Sequence, residues 1–179
     1  MTKRIALLRG INVGGRSKVA MADLRQMFTD LGLESVKTVL QSGNVVFEGG
    51  PGGAELEEIL ERETEKRLGL RPAYLIREAE DWRNLVTSNP FPEEAKNDPV
   101  RLQAMPLKAA PKVAAVSALR EAIVGSERVE AVGRELYLYY PDGSGRSKLT
   151  IKLIESKLGT QGTSRNWNTV MRLAALIGD

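Results

Sequence analysis

The sequence contains no cysteine and no histidine, and these two absences exclude several kinds of site. Without cysteine the chain has no disulfide, no thiol nucleophile and no thiolate ligand for a metal. Without histidine it lacks the usual general base, the usual partner of a nucleophilic serine and the commonest zinc ligand. Any catalysis therefore uses Asp, Glu, Lys, Tyr, Arg, backbone amides or a cofactor, and the sequence leaves that cofactor unknown. A metal would need oxygen ligands only, and we predict no metal site.

A long apolar segment is also missing. The N-terminal run from Ile5 to Leu8 follows the basic residues Lys3 and Arg4 and ends at Arg9, so it is too short for a signal peptide or a membrane span. We therefore expect a cytoplasmic protein without a membrane partner. The lack of cysteine agrees with a reducing compartment.

Acidic residues are absent from one stretch and nearly absent from another, although the net charge is only +3. No acid occurs from Met1 to Ala22, and Glu155 is the single acid from Gly143 to Arg172. This segregation predicts an anionic partner for the two basic stretches. The alternative is that they are solvated faces of the molecule.

The hydrophobic pattern predicts the element order β-α-β-β-α-β in the first half and β-α-β-β-α in the second. In the first half we expect strands over 4–9, 36–40, 45–47 and 73–76, and helices over 21–31, 56–68 and 78–88. In the second half we expect strands over 100–104, 129–132 and 135–140, and helices over 113–123, 149–158 and 170–177. A closing strand is not recognisable there. Either residues 160–163 supply a short edge strand or that sheet has three strands.

This pattern predicts an α+β fold of two ferredoxin-like units, or alpha-beta plaits. The second unit lacks a clear final strand and is followed by a C-terminal helix. We expect an N-terminal domain over 1–88 and a C-terminal domain over 100–179. The segment 89–99, "NPFPEEAKNDP", is predicted to be a Pro-rich connector.

The stretch "LRGINVGGRSK" differs by one residue from a nucleotide-binding phosphate loop. The helical pattern begins only at Met21, no predicted strand ends in an Asp for magnesium, and the next strands form a hairpin, so that function is disfavoured. A weaker hypothesis remains, in which a glycine-rich turn near a helix N-terminus receives an anion with Arg9, Arg16 and Lys18. The alternative is that the glycines only permit positive φ.

The tetrapeptide "GRSK" occurs at residues 15–18 and again at residues 145–148, each time ahead of a predicted helix. If the two halves pack as pseudo-repeats, both loops could face one cleft. Polar residues of "QSGN" (41–44) and "RNWNT" (165–169) add hydrogen-bonding groups that read amides, carbonyls, carboxylates or phosphates. Structural alternatives stay open, since Asn44 can close a turn, Ser164 or Asn166 can cap the last helix and Trp167 can pack under it.

Four stretches together resemble a bacterial family known as domain of unknown function 1697: "ALLRGINVGGRSKVAMADLR", "VKTVLQSGNVVFE", "GRSKLTIKLIESKLGT" and "RNWNTVMRLAAL". The resemblance runs in order over nearly the whole chain. It implies two ferredoxin-like units and carries no established activity. The family's characteristic positions correspond here to Arg9, Gly10, Asn12, Gly14, Gly15, Gln41, Ser42, Gly43, Asn44, Arg165, Asn166, Trp167 and Asn168. The helix after the glycine turn often begins at a proline in the family, where this chain has Ala20.

We predict that the protein binds a small anionic ligand, bearing phosphate or carboxylate, in a basic cleft. The candidate ligand-binding residues are Arg9, Asn12, Gly14, Gly15, Arg16, Lys18, Gln41, Ser42, Asn44, Arg146, Lys148, Arg165, Asn166 and Asn168. One alternative is an enzyme on a small anionic substrate, with Lys18 or Lys148 as proton donor or electrophile and the remaining catalytic residues unknown. Another, less favoured, is nonspecific nucleic-acid binding through the same cations. Aromatic residues typical of the RNA-recognition sheet are absent from the central strands. The sequence leaves the oligomeric state unknown.

Overall fold

The apolar run Ile5–Leu8 is fully buried in the computed structural model, which describes residues 1–178. It forms most of the first strand, β1 (Lys3–Leu8). This strand has antiparallel neighbours on both sides. A strand inside a sheet that is covered on both faces needs apolar residues at successive positions rather than at alternate ones, and this explains the continuous run.

The first sheet contains four strands among the described residues, and all of its pairings are antiparallel. Its elements are β1, α1 (Met21–Asp30), β2 (Glu34–Val39), β3 (Asn44–Glu48), α2 (Gly53–Leu68) and β4 (Tyr74–Glu78). The strand order is β2-β3-β1-β4, so β2 and β4 form the edges. The element order β-α-β-β-α-β agrees with the order predicted from the hydrophobic pattern.

One face of this sheet packs against α1 and α2. Alternate residues of β1, Ala6 and Leu8, join Leu24 and Phe28 of α1 in a buried apolar cluster. The rings of Phe28 and Phe47 meet edge to face with their centroids 5.3 Å apart. Such aromatic pairs add to the stabilisation that burial alone provides.

A second four-stranded antiparallel sheet follows in the described chain, in the order β6-β7-β5-β8. The elements of this half are α3 (Ala79–Thr87), α4 (Pro92–Asn97), β5 (Leu102–Pro106), α5 (Val113–Glu121), β6 (Arg128–Val132), β7 (Glu135–Tyr139), α6 (Ile151–Leu158), β8 (Arg165–Asn166) and α7 (Trp167–Ile177). A separate apolar cluster fills the space between this sheet and the helices α5 and α6. Leu138 of β7, Leu119 of α5 and Ile154 of α6 are completely buried in it.

The second half has a final strand, β8, so the expectation that this half lacks a clear one is wrong. It pairs antiparallel with β5, where Ala104 lies opposite Arg165. An isolated bridge between Leu107 and Gly162 precedes it, so the edge begins within residues 160–163 and continues beyond them. Two residues are too few to show hydrophobic alternation, and pairing with β5 defines this strand.

The described chain divides into two compact units. The first unit comprises Met1–Asn84 and the residues from Leu173 onward, and the second comprises Leu85–Arg172. The domain limits 1–88 and 100–179 stay predictions. Within the predicted connector 89–99, residues 92–97 form α4. Every helix within residues 1–178 falls short of the combined length and apolarity that crossing a bilayer demands.

Arg128 attaches α4 to the second sheet. Its guanidinium carbon lies 5.2 Å from the ring centroid of Phe91 and 5.0 Å from that of Tyr139. The same group donates to the carboxylate of Glu94 in α4. This hydrogen bond holds the pKa of Glu94 below its ordinary value.

Candidate functional site

The glycine-rich segment Gly10–Lys18 ends in a tight hairpin. The N–H of Arg16 donates to the carbonyl of Val13 at 3.0 Å, and the N–H of Asn12 donates to the carbonyl of Ser17 at 3.0 Å. Gly14 and Gly15 have φ of +56° and +74°. Positive φ at both central residues is what a type I′ hairpin turn requires. Both glycines therefore serve the turn, and the N–H groups of Asn12 and Arg16 are already bonded within the loop.

Asn12 connects this loop to the turn that follows β2. Its Nδ2 donates to the carbonyls of Val19 at 3.0 Å and Gln41 at 2.7 Å, and its Oδ1 accepts from the N–H of Val19 at 2.8 Å. The loop and the turn with Gln41 are thus brought together within the first unit. These bonds use both ends of the Asn12 amide for structure, while a ligand contact stays a prediction.

The turn of residues 41–44 packs closely beneath the loop. Asn44 is completely buried, and its Nδ2 donates to the carbonyl of Val39 at 2.7 Å and to Ser42 Oγ at 3.0 Å. A Cβ on Gly43 would lie 2.6 Å from Cδ1 of Ile11. Glycine is therefore required there by packing as well as by its φ of +83°.

Two cations of this loop point to solvent. The side chains of Arg16 and Lys18 are exposed, and within residues 1–178 neither has a hydrogen-bond or ion-pair partner. Arg9 is half-buried and takes part in contacts. The first unit thus presents two unpaired positive charges beside its glycine hairpin.

The segment 163–169 of the second unit is largely buried. Arg165 Nη1 donates to Thr163 Oγ1 at 2.7 Å and to the carbonyl of Ser164 at 2.9 Å, and burial lowers the pKa of Arg165 to about 10. Asn166 Oδ1 accepts from the N–H of Thr169 at 3.0 Å in the first turn of α7. Of the two residues that the sequence offers as a cap of this helix, Asn166 makes the capping bond, while its role as a ligand-binding residue stays a prediction. The neighbouring Trp167 is only 5% exposed, whereas the side chain of Asn168 is exposed.

The second "GRSK" loop borders a concave surface of about 360 Å³, which we call the Arg146 depression. It lies between the segments 124–127 and 142–148 of the second unit, and both Arg146 and Lys148 line it. Their side chains are exposed, and among residues 1–178 neither has a hydrogen-bond or ion-pair partner. The structure thus places two predicted ligand-binding residues at one concavity.

The carboxylates of the Arg146 depression are held by hydroxyl groups. Ser147 Oγ donates to Glu127 Oε1 at 2.6 Å, and Ser126 Oγ donates to Asp142 Oδ2 at 3.0 Å. Sequence reasoning did not identify Glu127 or Asp142 as part of a site. Each is one acid in a polar loop, and only the folded chain brings it beside Arg146.

The loop 142–148 is anchored at its C-terminal end. The hydroxyl of Tyr140 donates to the carbonyl of Leu149 at 2.9 Å, and the N–H of Leu149 donates to Ser147 Oγ at 3.0 Å. Burial raises the pKa of Tyr140 to about 12, so its hydroxyl remains a donor even in alkaline solution where an exposed tyrosine would ionise. These bonds restrain the loop that carries both cations.

The two "GRSK" loops belong to different units, so their predicted meeting in one cleft stays a prediction. Within residues 1–178, no three carboxylates are grouped so that they could hold a metal ion. The arrangement in the second unit offers charge and hydrogen bonds to a ligand. Arg146 and Lys148 are ionisable groups of the Arg146 depression that have no hydrogen-bond or ion-pair partner within residues 1–178.

The chain is similar to a solved structure described as that of the conserved bacterial protein SP0830 from Streptococcus pneumoniae. The two are 26% identical, the match covers 98% of each chain, and the TM-score is 0.77. No curated protein matches the chain significantly. A family model described as "Protein of unknown function (DUF1697)" matches residues 1–137, which include the glycine hairpin and the 41–44 turn. Because this match spans more than half of its length, the chain belongs to the DUF1697 family.

Proposed function

We propose that the second unit binds a small anionic ligand, carrying phosphate or carboxylate, in the Arg146 depression. The observation that supports this most directly is that Arg146 and Lys148 line the depression and have no ion-pair partner within residues 1–178. The nearby carboxylates of Glu127 and Asp142 accept hydrogen bonds from serine hydroxyls. An arriving anion therefore breaks no existing ion pair, which removes a cost that a paired arginine would impose.

The volume of the Arg146 depression and the restraint on its loop also support a ligand site. The volume of about 360 Å³ falls within the range of small-molecule sites, roughly 300 to 1,000 Å³. The hydrogen bonds of Ser147 and Tyr140 restrain the loop before any ligand arrives. A restrained loop loses less conformational entropy on binding than a free one.

The test measures binding of inorganic phosphate and of citrate by isothermal titration calorimetry. We expect Arg146→Ala and Lys148→Ala each to weaken binding about tenfold or more, because a charge-assisted hydrogen bond contributes about 1.5 to 3 kcal/mol. Lys157→Ala is the matched control, since it removes one exposed positive charge of α6 outside the depression. Equal affinities for all three variants would contradict the proposal.

The same assay examines the first unit and the two alternative functions. If Arg16→Ala also weakens binding, a site shared by both "GRSK" loops gains support. Binding that falls steeply with added salt and is shared by any nucleic acid would favour the nucleic-acid alternative. An enzyme would require turnover that Lys148→Ala abolishes while the fold stays intact.

We propose further that each unit is a ferredoxin-like plait. The strand order β2-β3-β1-β4 and its counterpart β6-β7-β5-β8, each with two helices between the strands, support this assignment.

The absence of cysteine supports a cytoplasmic location.

A further inference from the structure

The Arg146 depression is lined by charges of both signs. Arg146 and Lys148 supply two positive charges, and Glu127 and Asp142 supply two negative ones. Its other described lining residues are uncharged, so these four groups together carry no net charge. A ligand that carries only an anion is therefore attracted by two of the groups and repelled by the other two.

The four charges of the depression do not neutralise one another. Within residues 1–178, no ion pair joins the two carboxylates to the two cations or to any other cation. The partners of the carboxylates are hydroxyl groups, since Ser147 donates to Glu127 at 2.6 Å and Ser126 donates to Asp142 at 3.0 Å. A hydroxyl donates a hydrogen bond but brings no positive charge. The negative charge of each carboxylate therefore remains available to a cationic group of a ligand.

Each carboxylate keeps one oxygen without a protein donor. Glu127 accepts through Oε1 and Asp142 through Oδ2, and the second oxygen of each has no hydrogen-bond partner within residues 1–178. Both bonds cross from the segment 124–127 to the segment 142–148, so they hold the carboxylates in place between the two walls of the depression. Acceptors that are already positioned lose little conformational freedom when a donor binds.

We infer that the ligand is a zwitterion, whose anion binds Arg146 and Lys148 and whose protonated amine binds the carboxylates of Glu127 and Asp142. This inference rests on the proposed function, because it assumes an anion in the Arg146 depression. It adds an ammonium group on the same small molecule, as in aminoalkyl phosphates and amino acids. Such a ligand meets an opposite charge at all four groups, so the carboxylates that repel a plain anion attract the zwitterion.

The experiment compares aminoethyl phosphate with ethyl phosphate by isothermal titration calorimetry at constant ionic strength. At about pH 8 both phosphates are doubly ionised, so the two esters differ in charge only by the ammonium group. We expect the amino ester to bind the wild-type protein about tenfold tighter, because its ammonium donates charge-assisted hydrogen bonds to the carboxylates. β-Alanine and propionate form the corresponding pair for a carboxylate ligand. A tighter amine-bearing compound in either pair supports the inference, and the pair that shows it identifies the anion.

Two conservative variants test where the ammonium binds. Glu127→Gln and Asp142→Asn each remove a negative charge and keep an oxygen that accepts the serine hydrogen bond. We expect each to weaken binding of aminoethyl phosphate severalfold and to leave ethyl phosphate bound at least as tightly as before, because one repulsive charge is gone. Glu121→Gln is the matched control, since it removes an exposed carboxylate at the end of α5, outside the depression. It should keep the full difference between the two esters.

The outcomes separate this inference from the proposed function. If none of the four compounds binds, the proposed function fails and the inference fails with it. If ethyl phosphate or propionate binds but its amine-bearing counterpart binds no tighter, the inference is overturned and the proposed function stands. A difference between the esters that survives in both Glu127→Gln and Asp142→Asn would place the ammonium elsewhere and overturn the inference. Ethanolamine that bound as tightly as aminoethyl phosphate would show that the anion contributes nothing, and would overturn both.

Discussion

Several amide side chains of this protein bind the backbone rather than point to solvent. Asn12 makes three hydrogen bonds to main-chain groups, Asn44 closes the turn after β2, and Asn166 caps α7. Residue type and turn context predict such roles for Asn44 and Asn166. The sequence does not predict that Asn12 joins two loops, because Gln41 lies far away along the chain.

Replacement of Asn12 should destabilise the first unit through two effects that can be measured separately: the loss of hydrogen bonds and the cost of a positive φ. We expect Asn12→Gly to lower the free energy of unfolding by about 2 to 3 kcal/mol, since each lost hydrogen bond contributes about 1 kcal/mol. Asn12→Ala should cost about 1 kcal/mol more, because Asn12 has a φ of +54°, which alanine adopts less readily than glycine. Urea denaturation of both variants measures the two effects.

The exposed Asn168 provides the control for this experiment. No hydrogen bond of its side chain occurs within residues 1–178, so Asn168→Ala should change stability by less than about 0.5 kcal/mol. If Asn12→Gly behaves like Asn168→Ala, the amide of Asn12 does not hold the loop.

Strand β4 illustrates how one element protects another. It lies at an edge of the first sheet, and three of its N–H groups donate to carboxylates instead of to a strand. Tyr74 N donates to Glu61 at 3.0 Å, and Ile76 N donates to Glu57 at 2.9 Å, both acceptors belonging to α2. Glu78 N donates to Asp81 of α3 at 3.3 Å. An edge occupied in this way offers fewer unpaired groups to a strand of another molecule.

Removal of these acceptors should destabilise the protein and leave N–H groups of β4 free to pair with a strand of another molecule. For the double variant Glu57→Ala with Glu61→Ala, we expect the free energy of unfolding to fall by at least about 1 kcal/mol per lost hydrogen bond. We also expect concentration-dependent self-association in sedimentation velocity runs. The glutamine pair, Glu57→Gln with Glu61→Gln, should not show this self-association, because an amide oxygen still accepts a hydrogen bond.

Glu58 lies on the exposed side of the same helix and gives the matched control. Glu58→Ala removes a negative charge from α2 without removing an acceptor from β4. Self-association of this variant to the same extent would attribute the effect to net charge and would refute the edge mechanism.

For the whole molecule, hydrophobic periodicity predicts most of the architecture. Runs such as Ile5–Leu8, and helical stripes that end at Gly32 or Gly159, position the strands and helices close to where they occur. Strand β8 is not predicted because two residues carry no period. The helix α4 is not predicted because three nearby prolines favour a connector, although a proline at the first helical position is compatible with a helix.

The candidate site is predictable from the sequence only in part. The repeated "GRSK" and the scarcity of acids in residues 143–172 indicate Arg146 and Lys148 as candidate ligand-binding cations. The other half of the depression comes from the segment 124–127, whose nearness to residues 142–148 depends on how β6 and β7 are paired. Through-space contacts of this kind, such as the bond from Ser147 to Glu127, have no local pattern.

Each unit has its own apolar cluster, and this gives a prediction for both parts of the molecule. Leu8 and Leu138 are both completely buried, in the first and second clusters respectively. We expect Leu8→Ala and Leu138→Ala each to lower the free energy of unfolding by about 2 to 5 kcal/mol. Each change removes the transfer free energy of the deleted atoms and leaves a cavity. Hydrogen exchange measured by mass spectrometry follows both units in one experiment, and protection should fall in the strands of the altered unit.

Exposed valines supply a control in each unit for that experiment. Val13 is 64% exposed in the first unit and Val113 is 85% exposed in the second, so Val13→Ala and Val113→Ala should leave protection nearly unchanged. If Leu138→Ala left the amides of β5 and β7 as protected as in the Val113→Ala protein, the cluster around Leu138 would not be what stabilises the second sheet. Equal protection after Leu8→Ala and Val13→Ala would refute the same role for the cluster around β1.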